Sequence, residues 1–207
     1  MSASNTATFR EQTLRVPGAE LYHEVRGRGP LIALVGSPMD ARPFRAVAEL
    51  LASDHTVLTM DPRGIRRSRL DDPASDSTPA LRADDLSRLL VHLDAGPAAV
   101  VGSSGGAVTA LALAQAHPEQ VHTFVAHEPP LDELLDDRER RRVETERMVA
   151  TYLDGEVVGA WKQFFAQAEL GFPDDAIEQM FGSERDEQDL ADERYFFAHA
   201  LLPTGIT

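Results

Sequence analysis

Residues 98–116 read AAVVGSSGGAVTALALAQA, an apolar run, a glycine-rich segment and a small-residue run in succession. The apolar run Ala98–Val101 has the pattern of a short strand covered on both faces, and Val108–Ala116 that of a small-residue helix ending before His117-Pro118. Between them Gly102-Ser103-Ser104-Gly105-Gly106 fits the pattern G-x-S-x-G. On a turn between strand and helix, such a serine occupies a strained position at the top of a sheet. The flanking glycines remove side chains that would collide there, which leaves the Ser104 hydroxyl exposed as a candidate nucleophile. Two plainer readings stay open: a Gly-Ser turn without chemistry, and a helix N-terminus that cradles phosphate. A P-loop is excluded because no Gly-Lys-Ser/Thr follows.

Working outward, strand and helix alternate. Leu31–Val35 (LIALV), Thr56–Met60 (TVLTM) and Val121–Ala126 join Ala98–Val101 as predicted strands. Arg42–Ala52 is predicted helical, with Phe44, Val47, Ala48 and Leu51 at three- and four-residue spacing; Leu81–Leu93 is helical after the start signal Thr78-Pro79. Alternation from residue 31 to 126 predicts an α/β fold, a parallel sheet with helices on both faces and ligands at the carboxyl ends of its strands. Ahead of it, two β-like stretches between Thr8 and Arg26, FREQTLRV and AELYHEVRG, flank Pro17-Gly18 as an antiparallel hairpin at the sheet edge would. Residues 61–79 read as a loop. After Pro129-Pro130 the chain becomes charged and helix-prone, which places a boundary between residues 1–130 and a helical subdomain at 131–207.

Composition narrows the partners. A chain of 207 residues suits one domain, or a domain with an appended subdomain. A formal charge of −14 argues against nucleic acid and anionic membranes as partners. Without cysteine there are no disulfides, thiolate nucleophiles or cysteine-held metals. Met1–Gln12 is polar and lacks the apolar core of a signal peptide, and no run is long and apolar enough to span a bilayer, so the expected setting is cytoplasmic.

Three motifs in order carry a family resemblance. Beyond the G-x-S-x-G turn, Asp61-Pro62-Arg63-Gly64 followed by Ser68 resembles a D-x-R-G-x-G-x-S loop after the fourth strand, with Arg66 in place of the second glycine. Ala126-His127-Glu128-Pro129-Pro130 looks like a turn after the sixth strand. On these residues the chain resembles the α/β-hydrolase superfamily. The resemblance implies a mostly parallel sheet flanked by helices, with residues 1–130 as the N-terminal part of the hydrolase core and 131–207 as a helical cap. It also implies that the C-terminal strands, which bring the usual acid and histidine, are missing from this chain.

The same resemblance implies the site. Ser104 is the nucleophile, and the backbone N–H groups of Gly105 and Ser37 are the oxyanion donors. Gly36-Ser37-Pro38 stands in place of His-Gly-x-Pro and Val35 in place of the histidine, although 36–38 also reads as a plain tight turn. Glu128 stands at a second known place for the acid, the end of the sixth strand; a surface carboxylate paired with arginine is the other reading. Histidines occur at 23, 55, 92, 117, 122, 127 and 199, none after a strand beyond the sixth. His127 and His199 are the candidates for an unorthodox base. Trp161, Phe164, Phe165, Phe181, Tyr195, Phe196, Phe197, Leu201 and Leu202 fit either an apolar wall over the serine or subdomain core. No metal and no cofactor is implied.

The expected function is therefore a cofactor-independent serine hydrolase of small-molecule esters, lactones or related acyl compounds, working through a Ser104 acyl-enzyme. Serine rather than aspartate at the nucleophile position argues against epoxide opening or dehalogenation through an alkyl-enzyme ester. The rival is a truncated, non-catalytic binding or interaction protein, associating through the exposed edge of its sixth strand as a homo-oligomer. Cofactor-free oxygenase, lyase or perhydrolase chemistry on the same fold stays open.

Overall fold

A computed structural model describes residues 9–202. Residues 1–8, which make up most of the polar N-terminal stretch, and residues 203–207 lie outside the described residues. The chain divides into two compact units between Pro130 and Leu131.

The first unit is a seven-stranded sheet of order β1-β2-β4-β3-β6-β7, with β5 paired beside β2. Strands β1 (Phe9–Val16) and β2 (Ala19–Arg26) form the expected hairpin around Gly18, whose φ of 77° suits a residue without Cβ. Strands β3 (Leu31–Val35), β4 (Thr56–Met60), β6 (Ala98–Ser103) and β7 (Val121–His127) run parallel. Helices α2 (Pro79–Leu93) and α3 (Gly105–Ala116) bring Leu86, Leu89, Leu90, Ala110 and Leu113 into a core with Leu21, Val25, Ala33 and Val100. Helix α1 (Arg45–Leu51) packs Ala48 with Leu34 and Val57 in a separate cluster. The buried β3 strand thus earns its unbroken apolar sequence, as the α/β reading requires.

Three boundaries differ from the sequence reading. Residues 61–79 are not all loop: Arg69–Leu70 forms β5, pairing antiparallel with Glu20 and Ala19, and α2 starts at Pro79. The predicted sixth strand is therefore β7. Strand β6 runs on to Ser103 and α3 begins at Gly105, three residues before the expected Val108, because the glycines are part of the helix. The 42–52 helix splits into a 3-10 turn, Arg42–Phe44, and α1. Among the described residues β7 pairs only with β6, and Phe124 and Val125 are 43% and 53% exposed.

The second unit, over residues 131–202, contains α4 (Arg138–Leu153), α5 (Val157–Gln167), α6 (Asp174–Phe181), α7 (Glu187–Tyr195) and a π-helical turn, Phe196–Ala200. Its centre is aromatic. Trp161 stacks on Phe181 at 4.2 Å, and Tyr152 stacks on the fully buried Phe197 at 4.3 Å. Buried Glu193 accepts from Trp161 Nε1 at 2.5 Å and from Arg185. Trp161, Phe181, Phe196 and Phe197 therefore pack on one another as subdomain core, while Leu202 is exposed. Among the described residues no helix is long and apolar enough to cross a membrane.

On β2, His23 is completely buried between Leu21 and Val25 and stands edge-on to His92 at 6.1 Å. Burial lowers its pKa below the usual histidine value; a backbone hydrogen bond at Leu21 opposes this, and the neighbouring His92 adds a smaller lowering. The unfolded chain therefore binds a proton that the folded chain resists, and stability present above the ordinary histidine pKa falls as pH drops below it. Between about pH 7.5 and about pH 5 this one site therefore erodes stability as the pH falls. Urea unfolding across that range should show a shallower loss in His23→Phe than in the wild type.

Candidate active site

The site is built on the β6–α3 turn. Ser104 has φ 55° and ψ −126°, a strained conformation costing about 1–3 kcal/mol that the surrounding packing must impose. Its N–H donates to His127 O on β7 at 2.9 Å, and its carbonyl accepts from Ala107 N at 2.9 Å. The glycines beside it are a requirement of space. A Cβ on Gly102 would lie 2.3 Å from Gly106 O, and one on Gly106 would lie 2.1 Å from Val35 O. Helix α3 is thus pressed against β6 and the end of β3, with the half-buried Ser104 at the crest of the turn.

That close approach brings the second expected donor loop into contact. After β3, Gly36-Ser37-Pro38 turns over the N-terminus of α3; the Ser37-Pro38 peptide is cis and Ser37 is buried. A Cβ on Gly105 would stand 2.7 Å from Ser37 O and 3.1 Å from Ser37 Cβ. The structure therefore places Ser37 directly against Gly105. Asp40, at the end of this loop, accepts from Arg42 N at 2.7 Å and faces Arg66 Nε at 3.4 Å. Burial pushes its carboxyl up, but the bonds from Arg42 and the charge of Arg66 outweigh this and hold it below the usual aspartate value.

The Asp61–Ser68 loop is tied to the loop after β3, to β2 and to α2. Asp61, fully buried, accepts from Ala41 N at 3.0 Å, Arg67 N at 3.1 Å and Arg67 Nε at 2.7 Å. Ser68 Oγ donates to Asp61 O at 2.6 Å and accepts from Tyr22 N at 2.9 Å. Arg63 makes two bonds to Asp85 on α2, at 2.6 and 2.7 Å, with both side chains 3% exposed. Arg66 has φ 52°, so it occupies in the left-handed region the place where the pattern has glycine.

Glu128 follows β7, exposed and at φ 50°. His127 Nδ1 lies 3.3 Å from Ser103 Oγ, so its ring is turned to the neighbour of the candidate nucleophile. Among the described residues no side chain hydrogen-bonds Ser104 Oγ. His199 lies in the second unit beside Tyr195, at 5.5 Å between rings. No group of three or more His, Asp or Glu able to hold a metal ion occurs among the described residues. Sequence reasoning missed Asp85, Ser103, Arg82 and Thr109 around the turn. Asp85, Arg82 and Thr109 fall in predicted helices, and nothing in a linear pattern pairs α2 with the loop after β4 or with α3.

A model of the alpha/beta hydrolase fold matches residues 29–165. The chain belongs to this family. The hydrolase YraK of Bacillus subtilis, itself uncharacterized, is 45% identical over 138 residues, covering 66% of this chain and 51% of that protein. A zearalenone hydrolase of Bionectria ochroleuca is 29% identical over 161 residues, covering 72% of this chain and 61% of its own. The chain spans about half the length of the curated relatives it matches. Among solved structures, a provisionally named epoxide hydrolase from Pseudomonas aeruginosa superposes with a TM-score of 0.60 at 24% identity, over 92% of this chain and 65% of that one. Epoxide hydrolase VrEH1 from Vigna radiata gives 0.53 at 21% identity, over 56% and 38% of the two chains. At these identities the structures speak for the fold alone.

The collision at Gly106 gives a direct test of the packing. Gly106→Ala must push α3 off the Val35 carbonyl, and urea unfolding should show a loss of about 3 kcal/mol or more. A loss within about 0.5 kcal/mol would mean that α3 does not press on β3.

Proposed function

We propose that the protein is a serine hydrolase of small-molecule esters, lactones or related acyl compounds. The observation that carries this reading is Ser104 on a strained strand-to-helix turn, with Gly105 beside it in contact with Ser37. Ser104 Oγ attacks the acyl carbon as its proton passes to a histidine. The oxyanion receives the N–H groups of Gly105 and Ser37, supported by the N-terminal end of α3. The leaving alcohol takes the proton, and water then cleaves the Ser104 ester. Glu128, at the end of β7, is the carboxylate proposed to orient the histidine, and residues 131–207 are proposed as a helical cap. Relatives called hydrolases at 45% and 29% identity support hydrolysis as the reaction class.

One observation favours a second reading: Ser104 Oγ has no hydrogen-bonded base among the described residues. A chain that keeps the turn without a base would bind acyl compounds and not cleave them. Intact mass after treatment with a fluorophosphonate separates the two, since only an activated serine is trapped. The hydrolase reading predicts one adduct on the 207-residue chain, abolished in Ser104→Ala and slowed by about a hundredfold or more in Glu128→Gln. An unlabelled 207-residue chain beside a labelled longer form places the base outside these residues; a longer form that is unlabelled too contradicts the hydrolase reading and favours binding without catalysis.

A further inference from the structure

Helix α2 sends a second arginine under the turn, and the proposed chemistry has no use for it. Arg82 is only 5% exposed. Its Nη1 donates to Ser77 O at 2.6 Å and Ser77 Oγ at 3.2 Å, while its Nε donates to Thr109 Oγ1 at 3.1 Å. Thr109, 1% exposed on α3, donates its hydroxyl proton one turn back to Gly105 O at 3.1 Å.

The direction of these bonds is forced. A guanidinium has donors and no acceptor, so Thr109 Oγ1 accepts from Arg82, and its single proton is committed to Gly105 O. A threonine bonding back to the carbonyl four residues earlier is common in helices and by itself is only local structure. Here a buried cation sits behind the hydroxyl, and each bond polarises the next toward the carbonyl of Gly105. Gly105 is the residue that needs holding. It has no side chain to limit its backbone, it rests on Ser37, and its N–H must stay aimed where negative charge develops, since a donor set a fraction of an ångström off loses most of its value. Arg82 and Thr109 also line a small cavity with Val35, Gly36, Arg63 and Asp85, so this support reaches under both sides of the proposed oxyanion site.

We propose that Arg82, acting through Thr109, is a positioning residue that fixes Gly105 as an oxyanion donor. The proposal rests on the Ser104 hydrolase reading. Its test compares the full chain with Thr109→Val, which keeps the shape and loses the hydroxyl, and Thr109→Ser, which keeps the hydroxyl. Turnover of p-nitrophenyl acetate is measured together with amide hydrogen exchange over residues 102–109. Thr109→Val should lower kcat by about tenfold with KM within about twofold, and Thr109→Ser should restore kcat to within about twofold of wild type. An unchanged kcat in Thr109→Val, or an equal loss in Thr109→Ser at equal stability, overturns the proposal. If the wild type does not turn over the ester, the fluorophosphonate adduct decides the Ser104 reading separately, and exchange decides the positioning. Faster exchange at Gly105 and Gly106 in Thr109→Val but not in Thr109→Ser supports it; unchanged exchange in both overturns it.

Discussion

Helix α3 approaches the end of β3 so closely that no methyl group fits between Gly106 and the Val35 carbonyl, and most of the first unit's geometry depends on that contact. It sets where the helix begins, which forces the one residue between β6 and α3 into a positive φ. It brings Gly105 onto Ser37, which makes one concave place out of two loops far apart in sequence. Ser104 is held on a third side by β7, through its N–H on the His127 carbonyl. A strained residue persists only where neighbours over-determine it, and here a helix and two strands do so.

Around this turn the buried polar groups are paired rather than scattered. Asp61 ties the loop after β4 to the start of the 42–44 turn and to Arg67; Arg63 ties it to α2 through Asp85. Arg67 in turn lies over the Tyr22 ring at 3.5 Å and bonds Glu24, which links the loop to β2. Buried ion pairs add little stability relative to apolar packing, but removing one partner leaves an uncompensated charge and costs several kcal/mol. Their effect is specificity of arrangement: the loop after β4 is tied in one register to all of these partners.

The fold was legible because the features that make it are periodic or local. Apolar runs at 31–35, 56–60 and 98–101 became buried parallel strands, and Pro17-Gly18 became the hairpin turn. The glycines were legible too, since Gly102, Gly105 and Gly106 each stand where a Cβ would collide. What the sequence did not reveal depends on contacts between distant segments. Strand β5 consists of Arg69 and Leu70, too short for any alternation to show. Arg82 and Asp85 look like ordinary polar positions of an amphipathic helix until α2 is laid beside the loop after β4 and beside α3. The aromatic residues of the second unit fitted both a ligand wall and a core, and their stacking on one another accounts for Trp161, Phe181 and Phe197 as core.

Ser104, Gly105 and Ser37 are proposed to form one acyl-transfer site. A crystal structure of the chain after reaction with a small fluorophosphonate tests it most directly. The expected adduct has phosphorus bonded to Ser104 Oγ, with the phosphoryl oxygen within about 3 Å of both the Gly105 and the Ser37 nitrogens. An adduct on another residue, or a phosphoryl oxygen turned to solvent with neither N–H in reach, would contradict it.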